Sequence, residues 1–370
     1  MKIALLGDIA LFGRFCVTNN KDIFNQLLSV KQYLSSFDYV VGNLETPFSE
    51  NEKPVWGKSA TIKSHPENIS VLKWLGITHV TLANNHMGDF GITAFERTKG
   101  LLESKGIDWY GAENKNSFIR HSDGNIALQG YCSYNTNPSN ISFRKRHGLN
   151  YLDLSKALKD LQYHSSLGYL NIISVHSGQE HVHLPSIEDI TFARLLAEEM
   201  NYIYHGHHPH VIQGHEQWKS SDIFYSLGNF LFDDVYTNRD LSTPLITLSE
   251  ENKTGAIAEI EVFNNKVKRS CITPIYIASD KVLVGDVIKD FRISSFNEYL
   301  SMAGSSQYND IREVMIKKYI KGLYKKSRNL RWYLSRLNTN SIGIILKALV
   351  NKRLYDSAFR SKLTLLDGKK

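Results

Sequence analysis

Six short apolar runs rich in β-branched residues punctuate the first two thirds of the chain: Lys2–Gly7, Asp38–Asn43, His79–Ala83, Ile126–Cys132, Leu170–Val175 and Asn201–His205. Runs of this length and type predict buried strands. Between them the apolar positions change period. Phe24, Leu27, Leu28, Lys31 and Leu34 keep the three-to-four spacing of a helix, as do Val71, Leu72 and Leu75, and Phe192, Leu195, Leu196 and Met200. Strands alternating with helices predict an α/β layered fold. From about Asp222 the texture shifts. Asp222–Leu227, Gly255–Phe263 and Val267–Ile277 predict antiparallel strands, the last two joined by a tight turn at Asn264-Asn265. Beyond residue 280 the pattern is helical, which sets a boundary between residues 1–280 and an extension over residues 281–370.

The polar residues that end these strands carry the chemistry. The first strand ends in Gly7-Asp8 and the second in Gly42-Asn43-Leu44-Glu45. The third ends in Ala83-Asn84-Asn85-His86, the fifth in His176-Ser177-Gly178-Gln179-Glu180-His181, and the sixth in His205-Gly206-His207-His208-Pro209-His210. In open α/β sheets ligands bind beyond the carboxyl ends of the strands, and glycine permits the tight turns that aim the next side chain inward. Carboxylate, amide and imidazole donors together suit divalent Mn, Fe or Zn, not a thiolate site or an all-oxygen calcium cage. Two such ions about 3.5–4 Å apart clamp a phosphate and acidify a water, and a further His outside the metal shell can protonate the leaving group.

Composition adds limits. With 370 residues, 42% of them hydrophobic and 22% charged, the chain is that of an ordinary globular protein. The opening MKIALLGDIALFGRF starts like a secretory leader, but Asp8 interrupts the apolar run and no leader is expected. No apolar stretch reaches the ~18 residues of a membrane span. Three scattered cysteines, Cys16, Cys132 and Cys271, fit a reducing compartment better than a disulfide framework. The expected location is cytoplasmic. The net charge of +7 conceals an asymmetry. Residues 311–370 carry 16 Lys or Arg against 3 Asp or Glu, a net of +13, and residues 1–310 carry 28 basic and 34 acidic groups, a net of −6.

Taken in order, Gly7-Asp8, NLETP at 43–47, LANNHMGDFG at 82–91, HSGQEH at 176–181, GHHPHVIQG at 206–214 and YSLGNFLFD at 225–233 resemble the CapA (poly-γ-glutamate capsule synthesis, PGA_cap) family. That family is similar to the calcineurin-like metallophosphoesterases. The resemblance implies a four-layer α/β/β/α metallophosphoesterase-like sandwich over 1–280, followed by a helical basic C-terminal extension over 281–370. It implies two divalent metal ions (Mn, Fe or Zn) held by Asp8, a bridging Glu45, the Asn85 amide, His176 and two of His207, His208 and His210, with His86 as the non-ligating acid. Candidate substrate contacts are Arg14, whose guanidinium fork suits phosphate, Asn43, and Asn229 in the turn Ser226–Phe230. There are departures: the superfamily's Asp-x-His becomes Asp8-Ile9-Ala10, and the Trp usual after the fourth-motif His is Ser177.

The implied function is hydrolysis of a phosphorylated small molecule or a lipid-linked intermediate in capsule or surface-polymer biosynthesis. The alternative is a non-hydrolytic, metal-containing subunit of a polymer synthesis or export complex. In the tail, Met315, Tyr319, Leu323 and Leu330, then Ile342, Ile344, Ile345, Leu346 and Leu349, lie among Lys and Arg at helical spacing. Such segments either cap a core with a solvated basic face or lie on an anionic membrane, here the inner face. No nucleic-acid motif accompanies the charge, and no nucleic-acid partner is expected.

Overall fold

The computed structural model describes residues 1–50, 52–139, 148–236, 244–285, 293–324 and 338–367. Its strands are β1 (Lys2–Ile9), β2 (Tyr39–Leu44), β3 (His79–Thr81), β4 (Asp108–Tyr110), β5 (Ser117–His121), β6 (Gly124–Cys132), β7 (Leu170–His176), β8 (Tyr202–His207), β9 (His215–Trp218), β10 (Ser221–Phe224), β11 (Asn229–Leu231), β12 (Thr254–Phe263), β13 (Lys266–Ile277) and β14 (Val282–Val284). They form two sheets. The first runs β14-β13-β12-β1-β2-β3-β4, with β11 also on β1; the second runs β5-β6-β7-β8-β10-β9. The strands β1 to β4 are mutually parallel, and so are β6, β7, β8 and β10.

The period of two along each strand explains the layers. In β1, Ile3 and Leu5 face a core shared with Val41, Ile126, Leu128, Ile172, Ile203 and Ala258, which lies between the sheets. Their neighbours Ala4 and Leu6 face outward, onto Val30, Leu72, Leu75, Phe95 and Leu102. Those residues belong to the helices Leu28–Leu34, Ile69–Leu75 and Gly91–Ser104. The second sheet turns Ile173, Val175 and Tyr204 onto Leu161, Phe192 and Leu196 of the helices Leu154–Ser166 and Ile187–Glu199. Helix, sheet, sheet, helix is the expected α/β/β/α sandwich.

Residues beyond 280 join this architecture. Strand β14 extends the first sheet past the expected boundary. Tyr308, Phe359 and Leu363 are buried in the core of the second sheet, where Met315 packs beside them. Leu330 lies outside the described residues. Asn264 and Asn265, with φ of 51° and 59°, form the tight turn between β12 and β13. The segment expected as an antiparallel strand from Asp222 is shorter, and β10 runs parallel to β8 and antiparallel to β9.

Candidate metal centre

The carboxyl ends of β1, β2, β3, β7 and β8 all open onto one place, where the two sheets meet. Glycines make the approach close enough. A Cβ on Gly7 would stand 2.1 Å from the Gly228 carbonyl oxygen, and one on Gly206 1.9 Å from that of Tyr225. Each glycine therefore lets a neighbouring backbone pass just before the strand delivers Asp8 or His207. After β8 the chain takes left-handed φ at His208 (98°) and His210 (56°). Non-glycine residues rarely hold such values, and they gather at functional sites. Here they turn two successive imidazoles toward the same centre.

The contacts knit the cluster together. Asp8 Oδ1 lies 3.1 Å from His207 Nδ1 and accepts a hydrogen bond from Asn43 Nδ2 at 2.8 Å. Asp8 Oδ2 lies 3.3 Å from His210 Nδ1 and accepts from the His208 backbone N–H at 3.2 Å. Glu45 Oε1 stands 3.5 Å from His210 Nε2 and 3.7 Å from His176 Nε2. His176 Nε2 is 3.0 Å from the Asn85 amide oxygen. Two triads whose donor atoms all lie within 4.8 Å share His210: Asp8–Glu45–His210 and Glu180–His208–His210.

These separations fit metal ligation. Two donors each about 2.1 Å from one ion, at angles of 90–110°, stand about 3.0–3.4 Å apart. More telling are the buried atoms without protein partners: both carboxylate oxygens of Glu45, His207 Nε2 and His208 Nδ1. A buried carboxylate with no hydrogen bond is costly, and a divalent cation is the chemical group that matches carboxylate and imidazole lone pairs together.

Electrostatics follow from that burial. Burial pushes the Glu45 carboxyl well above its usual range, and the neighbouring charges of Asp8 and Glu180 add to it. Asp8 feels the same burial, but the hydrogen bond and charge of His207, with His210 and His176 nearby, hold it well below the ordinary value. Burial lowers His176 strongly and His208 to about 4. Glu180, although buried, is held at about 2 by the imidazoles of His208, His210 and His181. Neutral His176 and His208 and an ionised Asp8 are the protonation states that ligation requires, and Glu45 would give up its proton to a bound cation.

His86 stands at the edge of the cluster on a cavity of about 280 Å³. Its Nδ1 lies 2.6 Å from Asp89 Oδ2, whose other oxygen is 2.7 Å from Lys58 Nζ. Lys58 also donates to the Asn85 carbonyl. Asp89 accepts from the Ile62 N–H at 3.0 Å as well, which fixes the imidazole with Nε2 as the nitrogen not engaged by Asp89. Burial lowers the His86 pKa, Lys58 lowers it further, and Asp89 opposes both. The cavity is lined by polar residues, among them His86, Asn85, Glu180 and His210, and by apolar ones, among them Ile62, Phe232, Val235, Ile246 and Leu248.

All seven candidate ligand residues, Asp8, Glu45, Asn85, His176 and the three imidazoles His207, His208 and His210 of which two were expected to ligate, are therefore brought together. Asn43 and Asn229 lie one layer behind. Asn43 bridges Asp8 and Asn84, and Asn229 Oδ1 is 2.9 Å from His210 Nδ1. Arg14, expected on substrate, is placed elsewhere: its guanidinium donates to the Ala278 and Ser279 carbonyls and lies beside Asp233. Ala10, where the superfamily has an imidazole, packs with Ile62, Phe232, Val235 and Leu248. Ser177 donates to Asp189 at 2.7 Å. Sequence reasoning assigned no role to Lys58, Asp89 or Glu180. Two of them sit within quoted motifs, NNHMGD and HSGQEH, and Lys58 had no local signal.

Two facing sheets with a buried carboxylate–imidazole–amide cluster at their strand ends define an α/β sandwich with a candidate metal centre. Comparison with known proteins narrows this: the chain belongs to the family described as bacterial capsule synthesis protein PGA_cap, whose profile matches residues 2–234. It is similar to the capsule biosynthesis protein CapA of Bacillus anthracis, 28% identical over 304 residues, covering 76% of this chain and 71% of that protein. It is also similar to the PGA biosynthesis protein CapA of Bacillus subtilis, 27% identical over 291 residues and covering 75% and 72%. Among solved structures, the NAD nucleotidase of Haemophilus influenzae aligns with a TM-score of 0.41 at 13% identity, over 89% of this chain and 61% of that one.

Proposed function

We propose that this chain is a metal-dependent phosphoester hydrolase acting in capsule or surface-polymer biosynthesis. The observation that supports this most is Glu45, a fully buried carboxylate without a hydrogen-bond partner, set among Asp8, His176 and His210. In this reading Asp8, Glu45, Asn85, His176, His208 and His210 hold two divalent ions, Mn, Fe or Zn. His207 orients Asp8 through Nδ1 and keeps Nε2 as a further donor. When bound, such ions supply Lewis acidity toward phosphate and lower the pKa of a water.

The chain's own residues do the rest. Asp89 holds the His86 ring through Nδ1 and favours its imidazolium form, whose Nε2–H gives its proton to the leaving oxygen and leaves the neutral imidazole behind. Asn43 keeps Asp8 in place, and Asn229 does the same for His210. A cavity lined by both polar and apolar side chains suits a substrate with a phosphate at one end and a greasy body at the other. A lipid-linked intermediate of polymer assembly has that form, and the family membership supports that setting.

The test is metal analysis of the purified protein, followed by a phosphatase panel in Mn that includes polyprenyl phosphates, sugar phosphates and nucleotides. Wild type is expected to carry one or two divalent ions per chain and to hydrolyse a member of the panel. His86→Asn should keep the metal and lose about 10²–10⁴-fold in turnover, and Glu45→Ala should lose both. Metal-loaded wild type inert toward the whole panel points instead to a non-hydrolytic subunit of a synthesis or export complex.

A further inference from the structure

The helix Thr339–Tyr355 presents two unlike faces. Its inner face is docked beside the cavity. Asn340 Oδ1 accepts from the Gly57 N–H at 2.6 Å, Lys347 Nζ donates to the Trp56 carbonyl at 2.5 Å, and Asn351 Nδ2 donates to Asn137 Oδ1 at 2.7 Å. Gly343 lies against the Trp56 ring, where a Cβ would come within 2.6 Å. Asn137, and Lys58 next to Gly57, line the cavity itself. The helix is thus pinned at the mouth of the candidate metal centre.

Its outer face is apolar and open. Ile342, Ile345, Leu346 and Leu349 are 52–61% exposed. At 100° per residue they fall within an arc of about 100°, pointing away from the docked residues. Contiguous exposed apolar surface of this kind marks an interaction site. Two basic residues, Lys352 and Arg353, continue the exposed face, and the sequence over residues 311–370 carries a net charge of +13. A second copy of the chain would bring a like-charged segment against this one, so the charge disfavours self-association. No helix among the described residues is long and apolar enough to cross a membrane.

We infer that the outer face of Thr339–Tyr355 docks on an anionic lipid surface, its four aliphatic side chains entering the headgroup boundary and its basic residues pairing with lipid phosphates. The inner-face contacts then hold the cavity mouth at that surface. The inference stands on the helix alone and survives whether or not the site proves hydrolytic.

The experiment is flotation of the full-length protein with vesicles of equal parts phosphatidylglycerol and phosphatidylcholine, against vesicles of phosphatidylcholine alone. Wild type should float with the anionic vesicles at low salt and be released as salt rises. Ile345→Glu/Leu349→Glu should reduce binding at least about tenfold with an unchanged melting temperature and metal content. If that variant melts lower, Lys352→Glu/Arg353→Glu becomes the deciding variant, since both positions are exposed, and it should reduce binding in the same way. Absence of wild-type binding, equal binding to neutral vesicles, or variants that fold and bind as wild type overturn the inference. So does a wild-type oligomer that ignores vesicles and becomes monomeric in the Ile345→Glu/Leu349→Glu variant; the face would then be a protein interface.

Discussion

His207 Nδ1 lies 3.1 Å from Asp8 Oδ1, so the last residue of β8 in one sheet is joined to the end of β1 in the other. Both side chains are buried to within 1%. The contact spans 199 positions of sequence and places the cluster across the seam between the sheets, not within either one. Cluster and sandwich therefore share their energetics: whatever neutralises the buried carboxylates also holds the two sheet ends together.

Glu45 makes that coupling measurable. Its carboxyl is raised by burial, so in metal-free protein the folded state keeps a proton that the unfolded chain releases, and stability is lost as pH rises past the unfolded value. Glu45→Gln should raise the melting temperature of metal-free protein at pH 8. With Mn or Zn at 100 times the dissociation constant, wild type should gain about 2.7 kcal/mol and the variant much less, so the order reverses. Thermal scans with and without chelator check this, and an order that stays the same in both buffers rules out Glu45 as a ligand.

Asp89 is fully buried between Lys58 and His86, both within 2.7 Å. Removing one partner of a buried pair leaves the other charge stranded, at a cost of about 3–5 kcal/mol. Asp89→Asn should destabilise by that amount in urea titration, and Lys58→Met/Asp89→Leu should recover at least half of it. Additive losses in the double variant would show that the pair is not coupled.

How far the sequence carried this picture differs from element to element. Strands β1, β2, β7 and β8 were legible because uninterrupted apolar runs end abruptly in Asp, Asn or His, and each end landed in the cluster. The three-residue β3 was legible from the longer apolar run around it, but β4 and β11 were not. They are too short to show a period, and β11 exists because Asn229 pairs with Asp8 beside a bulge. Which imidazoles of GHHPH turn inward was equally hidden, since left-handed φ at His208 and His210 is imposed by packing, with no Gly or Asn to announce it. Lys58 follows a turn with no periodicity, and its role arises only when the chain brings it to Asp89. Arg14 shows the converse: a residue suited to phosphate is engaged by carbonyls at the end of the first sheet.

Cys132, paired in register with His176, provides a check on the packing beside the cluster. Burial pushes its thiol up to about 12, and its Sγ lies 3.5 Å from Thr136 Oγ1. At pH 8 an alkylating reagent should therefore modify the partly exposed Cys271 in native protein and reach Cys132 only as the chain unfolds. Peptide mass spectrometry over a time course distinguishes the two. Labelling of Cys132 at the rate of Cys271 would mean that the end of β6 opens readily, contrary to the packing described.

The last prediction concerns acid sensitivity far from the cluster. His79 begins β3, at the end of the strand opposite the candidate ligands, with its Nδ1 2.8 Å from Thr78 Oγ1. Burial lowers its pKa from 6.5 to about 4, with Asp108 pulling upward and Lys115 downward. The unfolded chain therefore takes up a proton near pH 6.5 that the folded chain refuses until about pH 4. Folding stability is lost as pH falls through that window, and the full loss is in place once both states are protonated. At pH 4.5 the contribution is about 2.5 kcal/mol. Other buried histidines add to the acid sensitivity of wild type, but a His79→Gln variant shares them, so the difference between the two proteins isolates this residue. Urea titrations at pH 7 and pH 4.5, both in chelator to remove metal release from the comparison, should show wild type losing about 2.5 kcal/mol more than His79→Gln. Any cost of the lost contact to Thr78 appears at both pH values and cancels. Equal losses in the two proteins would mean that His79 becomes protonated in the folded state as readily as in the unfolded chain, and that the start of β3 is open to water.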